Sequence, residues 1–189
     1  MAARRPTPLA RIRLLVLDVD GVLTDGRLRY GPEGEQEKLF HVRDGFGLKA
    51  LMAAGVAVAV ISGRSSQAVA RRCAELGIGE LAQGQEHKLE AFEALCTRLG
   101  MAAAECACIG DDTPDVPLLE RAGLAIAVAD AHPDARRAAH RRTRLPGGAG
   151  AVREACDWLL AARKPARKSA TKPARKPATK PARAAKRGR

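Results

Sequence analysis

Four aliphatic residues, Leu14-Leu15-Val16-Leu17, run straight into Asp18-Val19-Asp20-Gly21. An apolar run of that length, stopped by acid and glycine, is the pattern of a strand buried on both faces, and such strands belong to parallel sheets. Its C-terminal end opens into a loop, and in open α/β sheets that is the end at which ligands bind. Asp18 and Asp20 alternate with Val19, so an extended chain sends both carboxylates to one side. Two like charges held that close need a cation or a shared proton.

The same grammar repeats along the chain. Val56–Ile61 reads as a second buried strand that ends in Ser62-Gly63-Arg64, and Cys106–Ile109 as another that ends in Gly110-Asp111-Asp112-Thr113-Pro114-Asp115. Shorter strands are expected at 78–81 and 124–128. Helices are expected from Asp44, taken as an N-cap, to Gly55, then from Ser65 or Ser66 to Gly77, from about His87 to Leu99, at 117–121, across 133–139, and from the glycine-rich turn at 147–150 to about Ala162. Between the first strand and the first helix, Gly31-Pro32-Glu33-Gly34 divides two short alternations, which predicts a hairpin over 27–41 that projects from the main sheet or packs on another subunit. Strands alternating with helices imply a three-layer, Rossmann-like α/β fold around a mostly parallel sheet.

The net charge of +12 is confined to one end. Residues 163–189 hold twelve lysines and arginines and no acid, so residues 1–162 carry 21 side chains of each sign. That end is three copies of an eight-residue Lys-Pro-Ala-Arg unit, with no apolar face to offset the entropy of ordering it, and is expected to be a disordered basic tail. The division is therefore a loose lead-in over 1–10, a domain over 11–162 and the tail over 163–189. Such a tail suits nonspecific contact with nucleic acid or an anionic surface. Five scattered cysteines argue for buried thiols in a reducing compartment. The longest apolar run is too short to span a bilayer, and no stretch of signal-peptide length precedes Asp18, so a cytoplasmic protein without a membrane span is expected.

Asp18 with Asp20, Ser62 with Arg64, Lys88, and Asp111 with Asp112 and Asp115 all fall at strand ends or helix starts. Carboxylates converging with a lysine and a hydroxyl suit a hard cation, most simply Mg2+, beside a phosphate. A carboxylate approaching a phosphate anion is opposed electrostatically until cations neutralise the phosphoryl oxygens. No glycine-rich Lys-Ser/Thr loop and no GxGxxG follows a strand, which excludes the common nucleotide-binding loops.

In order and on the right elements, Asp18-Val-Asp20-Gly-Val-Leu-Thr, Ser62-Gly-Arg64, Lys88 and Gly110-Asp111-Asp112-x-x-Asp115 resemble the four motifs of the haloacid dehalogenase superfamily of phosphohydrolases. Only 44 positions separate Asp18 from Ser62, which leaves no room for a cap domain. His41-Val-Arg43-Asp44-Gly45-Phe-Gly47, Ala127-Val-Ala-Asp-Ala-His132-Pro133 and Gly147-Gly-Ala-Gly150-Ala-Val-Arg153-Glu154 further resemble the capless 3-deoxy-D-manno-octulosonate 8-phosphate phosphatases of lipopolysaccharide synthesis, over residues 11 to about 162.

The resemblance implies a Mg2+-dependent sugar acid phosphatase. Asp18 would be the nucleophile that forms an aspartyl-phosphate and a metal ligand. Asp20 would protonate the leaving oxygen, activate water and reach the metal through its backbone carbonyl. Asp111 would be the third ligand, with Asp112 and Asp115 as orienting groups or exchanging places with it. Ser62 and Lys88 would hold phosphate. The substrate-contact pattern falls on Asp20, His41, Val42, Arg43, Asp44, Gly45, Lys49, Arg64, Arg72 and Lys88. The resemblance also implies a homotetramer in which the hairpin of one subunit closes its neighbour's site. The same site would accept a nine-carbon sugar acid 9-phosphate. Arg141-Arg142 stands where relatives place Tyr-Val, which argues against a buried strand there.

Overall fold

The computed structural model of the chain describes residues 5–32 and 34–163. The basic repeat at 164–189 and the first four residues of the lead-in lie outside them. The elements run β1 (Leu14–Leu17), β2 (Arg29–Gly31), β3 (Gly34–Glu37), α1 (Val42–Ala53), β4 (Ala57–Ile61), α2 (Gln67–Leu76), β5 (Glu80–Ala82), α3 (Lys88–Leu99), β6 (Cys106–Gly110), α4 (Val116–Arg121), β7 (Leu124–Ala127), α5 (Pro133–Ala138), β8 (Arg141–Arg142) and α6 (Ala151–Ala161).

Six strands form one parallel sheet in the order β5-β4-β1-β6-β7-β8. Every residue of β1 is buried, as expected for a central strand covered on both faces. Helices pack as two groups, α1 with α2 and α6, and α4 with α3 and α5. The chain leaves β1 toward β4 on one side and returns to β6 on the other, so β1 sits where the winding reverses. Leu17 is in register with Val60 of β4 and Ile109 of β6. The next few positions on all three strands therefore emerge together at the sheet's C-terminal edge, the place where such folds bind ligands.

β2 and β3 pair antiparallel outside this sheet as the expected hairpin. One local reading changes. α1 begins at Val42, with His41 as its N-cap: the His41 Nδ1 accepts from the Arg43 amide at 3.1 Å. Asp44, expected to cap that helix, lies inside its first turn and caps α6 instead, its Oδ1 accepting from the Arg153 amide at 2.7 Å. Gly150 at the start of α6 has no side chain to offer, so the cap arrives from another helix. The Arg141-Arg142 segment forms no buried strand, in keeping with its two arginines, but a two-residue exposed edge fastened by the His140 amide to Ala125 O and the Thr143 amide to Ala127 O. Two backbone hydrogen bonds suffice at an edge, and the Arg141 guanidinium lies 4.9 Å above the Trp158 ring. The lead-in also has fixed points: the Thr7 amide donates to Gly123 O at 2.8 Å, and Leu9–Arg11 forms a 3₁₀ turn.

All five cysteines are free and buried. Burial pushes the thiols of Cys106 and Cys156 up to about 12, which suits packing rather than nucleophilic work.

Candidate active site

Asp18 is the first residue past β1. Its amide donates to Ile109 O, and its carboxylate is almost buried. Lys88 opens α3 and points back into the sheet edge, with its Nζ 2.7 Å from Asp18 Oδ1 and 2.7 Å from Asp115 Oδ1. Burial pulls the Lys88 ammonium down, but the two facing carboxylates outweigh that and leave it above the ordinary lysine value. Asp18 is raised to about 6, by burial first and then by Asp115, with Lys88 opposing.

Asp115 is committed on both oxygens, because its Oδ2 also accepts from the amides of Asp111 at 3.0 Å and Asp112 at 3.3 Å. Asp112 is exposed and turns onto the Thr113 amide at 2.7 Å. These contacts shape the loop after β6 and leave the Asp111 carboxylate to face Asp18. A Cβ on Gly110 would stand 2.4 Å from Asp115 Cβ, so this loop closes only around glycine. Gly21 plays the matching part after β1: with φ +91° it turns the chain, and a Cβ there would meet Asp111 Oδ2 at 2.1 Å.

Asp18, Asp111 and Asp115 each offer an oxygen within 4.8 Å of the others. Without a cation between them the repulsion is large, and burial together with Asp18, Asp115 and Asp112 raises Asp111 to about 8. An all-oxygen donor set with surplus negative charge fits a hard divalent ion such as Mg2+. Because Asp115 is already held by Lys88 and two amides, Asp111 is the carboxylate left to pair with Asp18 around such an ion.

Ser62 follows β4 and is buried. Its Oγ accepts from the Arg64 amide at 3.3 Å, and its carbonyl accepts from the Gln85 amide at 3.0 Å. Ser62, Arg64, Lys88, Asp18, Asp20 and Asp111 share a cleft of about 430 Å3, which Gln85 and Glu86 also line.

Asp20 is held differently from Asp18. Lys38, just past β3, places its Nζ 2.5 Å from Asp20 Oδ1, and Arg64 Nε lies 3.9 Å from Asp20 Oδ2. The Arg64 Nη2 donates to the Tyr30 hydroxyl at 3.0 Å. Within one chain, then, the hairpin reaches its own site. Lys38 and Tyr30 belong to no motif. A lysine at the foot of a hairpin can be noticed in the sequence, but its aim depends on how the hairpin folds back.

The remaining expected contact residues gather elsewhere. His41, Asp44, Gly45 and Arg72 line a narrow crevice with Phe40 and Leu23. Arg72 lies 5.9 Å from the Phe40 ring centroid and pairs with Glu75 at 3.2 Å. A Cβ on Gly45 would fall 2.4 Å from Arg72 Nη2. Asp44 is buried and raised by that burial, while Val42, Arg43 and Lys49 are exposed on α1. Within the single chain, none of these seven residues lines the cleft of Asp18.

The glycine turn before α6 buttresses the loop that follows β1. A Cβ on Gly147 would stand 1.7 Å from Gly21 O, and the Gly148 amide donates to Val22 O at 3.0 Å.

A parallel sheet with carboxylates at adjacent strand ends, a buried lysine shared between Asp18 and Asp115 and, among the described residues, no inserted cap domain define a haloacid dehalogenase-like hydrolase, and a family model of that description matches residues 74–146. The 3-deoxy-D-manno-octulosonate 8-phosphate phosphatase of Escherichia coli K12 is 51% identical over 152 residues, 80% of this chain and 81% of the relative. That of Yersinia pestis is 47% identical over 154 residues, 82% of each. The chain belongs to the 3-deoxy-D-manno-octulosonate 8-phosphate phosphatase family. The crystal structure of the Moraxella catarrhalis enzyme in complex with magnesium ion, phosphate ion and KDO superposes with a TM-score of 0.81 at 44% identity, covering 82% of this chain and 90% of that one. The cobalt-bound Haemophilus influenzae enzyme gives a TM-score of 0.81 at 44% identity, over 82% and 91%.

Proposed function

We propose that this chain hydrolyses 3-deoxy-D-manno-octulosonate 8-phosphate to the free sugar acid and phosphate, as a Mg2+-dependent step of lipopolysaccharide synthesis in the cytoplasm. The observation that carries the reading is the convergence of Asp18 and Asp111 at adjacent strand ends with Lys88 from the start of α3, in a chain about half identical to enzymes named for that reaction.

Asp18 and Asp111, with the Asp20 backbone carbonyl, would hold Mg2+, which when bound neutralises phosphoryl oxygens and so allows an anionic nucleophile to approach. Asp18 attacks phosphorus while the bond to the sugar oxygen breaks, and Asp20 delivers a proton to that oxygen. Asp20 then takes a proton from the water that attacks the aspartyl-phosphate, which releases phosphate and restores Asp18. Lys88 and Ser62 grip the phosphoryl group, and Lys88 keeps Asp18 ionised and aimed. Asp115 positions Lys88 and the Asp111 loop.

His41, Val42, Arg43, Asp44, Gly45, Lys49 and Arg72 serve the sugar end of the substrate in a homotetramer, where sites are completed across subunits. Exposed Leu39, Val42 and Phe46 beside them support an apolar subunit contact. The basic tail supplies nonspecific attraction to nucleic acid. Deleting residues 164–189 is expected to abolish retention on DNA at low salt while leaving phosphatase turnover unchanged.

A substrate panel tests the whole reading. Phosphate release in Mg2+ is expected to be fastest from the eight-carbon sugar acid phosphate and absent in excess chelator. Preference for a nine-carbon 9-phosphate would move the assignment to that substrate, and equal rates on generic phosphates would refute both.

A further inference from the structure

Lys38 lies outside every motif that located the site, yet it pairs with Asp20, which belongs to the first of them. The Lys38 side chain is only 1% exposed, and its Nζ is 2.5 Å from Asp20 Oδ1. An ammonium withdrawn from water to that degree is stable only against a carboxylate or strong acceptors. The other oxygen of Asp20 faces Arg64 Nε at 3.9 Å, and Arg64 is itself tied to the Tyr30 hydroxyl on β2. Asp18 and Asp20 stand two positions apart, yet each carboxylate has its own lysine: Lys88 from α3 for the first and Lys38 from the hairpin for the second.

We propose that Lys38 is a positioning residue for the phosphatase reaction, delivered by the hairpin to the Asp20 carboxylate of its own chain. The inference rests on the reading of Asp20 as proton donor and acceptor. Proton transfer requires the carboxyl to lie within about 2.6–3.2 Å of the leaving oxygen and then of the attacking water. A partly exposed aspartate has several staggered rotamers, and only a fraction of them aim at one point. Fixing one oxygen on a buried ammonium removes that spread and leaves the remaining oxygen for the proton. In this scheme Lys38 makes no bond to substrate, so its removal acts on turnover and spares binding. It also gives the hairpin a task inside its own subunit, beside any cover it offers a neighbour.

Lys38→Ala is the test, with Asp20→Asn as comparator, each checked for folding by circular dichroism. Removing an orienting partner of this kind is expected to lower kcat by about 10- to 100-fold, with KM little changed. Adding n-propylammonium, which can fill the vacated stem and restore the charge, is expected to recover part of that kcat, and n-propanol of the same size is not. Lys38→Met, which keeps the apolar stem, is expected to show the same kcat loss and stands in if the alanine variant does not fold. Wild-type turnover, a loss confined to KM, or recovery by the amine no better than by the alcohol would overturn the assignment. If Asp20→Asn itself turns over normally, the acid–base reading fails. If Asp20→Asn is inactive while Lys38→Ala is normal, only the role of Lys38 fails.

Discussion

Lys88→Met in the metal-free protein probes the electrostatics of the site. Lys88 is buried between Asp18 and Asp115, with side-chain exposures of 6%, 8% and 4%. Methionine keeps the stem but leaves two carboxylates facing each other out of water. A carboxylate in that position escapes by taking up a proton, which costs about 1.4 kcal/mol per pH unit above its ordinary value. Asp18 already stands at about 6 in the folded wild type, so its own further protonation adds at most about 1.4 kcal/mol at pH 7. The rest comes from the two ion pairs given up, and the whole loss is expected to be about 3 kcal/mol, the lower end of the usual cost of stripping one partner from a buried ion pair. The sign follows from linkage: the carboxyls left without Lys88 bind more protons in the folded variant than in folded wild type, so the gap grows as pH rises above about 6 and narrows as pH falls toward 3.8. At pH 5 the gap is expected to be clearly smaller than at pH 7. Thermal unfolding in chelator at pH 7, at fixed protein concentration, should place the variant about 10 °C below wild type. Excess Mg2+ should narrow the gap. A difference under about 1 kcal/mol at pH 7, or one that widens as pH falls, would refute the placement of Lys88 between the two carboxylates.

Asp44→Ala removes the cap that α6 receives from α1 and leaves the Arg153 amide unpaired, an expected loss of about 1–3 kcal/mol in urea unfolding. Asp44→Asn keeps an acceptor and sheds a charge that burial disfavours, so it should lose less; because the Asp44 carboxyl is raised by burial, wild type should gain on this variant as pH falls toward 3.8. Gly147→Ala forces a methyl into Gly21 O and is expected to cost about 1–3 kcal/mol in stability, together with a fall in kcat, since the atom displaced belongs to the loop that follows Asp18 and Asp20. Steady-state kinetics alongside melting should register both.

The parts of the site legible in the sequence are those where chemistry sits at the end of an apolar run. Leu14–Leu17 before Asp18, Val56–Ile61 before Ser62 and Cys106–Ile109 before Gly110-Asp111 announce strand ends, and a sheet order that sets β4 and β6 on either side of β1 does the rest. Long-range pairing was not legible. Asp44 looks like the cap of its own helix because Asp-Gly precedes the apolar positions of α1, whereas its partner, the Arg153 amide, lies 109 residues away. Lys38 follows a hairpin with few apolar residues, and nothing local aims it at Asp20. β8 has little signal in the sequence because an edge strand needs backbone pairing and no apolar side chain; Arg141-Arg142 argues only against a buried strand, and the strand is exposed. Asp115 read as interchangeable with Asp111 until its two oxygens were seen committed to Lys88 and the loop amides.

The central claim is that Asp18 attacks phosphorus. Its most direct measurement is phosphate release from 3-deoxy-D-manno-octulosonate 8-phosphate, in saturating Mg2+, by Asp18→Asn that melts as a folded protein. The amide keeps the size of the side chain and the Lys88 contact distance but cannot form the aspartyl-phosphate, so turnover should fall to background. Turnover within about tenfold of wild type, a barrier change of only about 1.4 kcal/mol, would contradict the assignment.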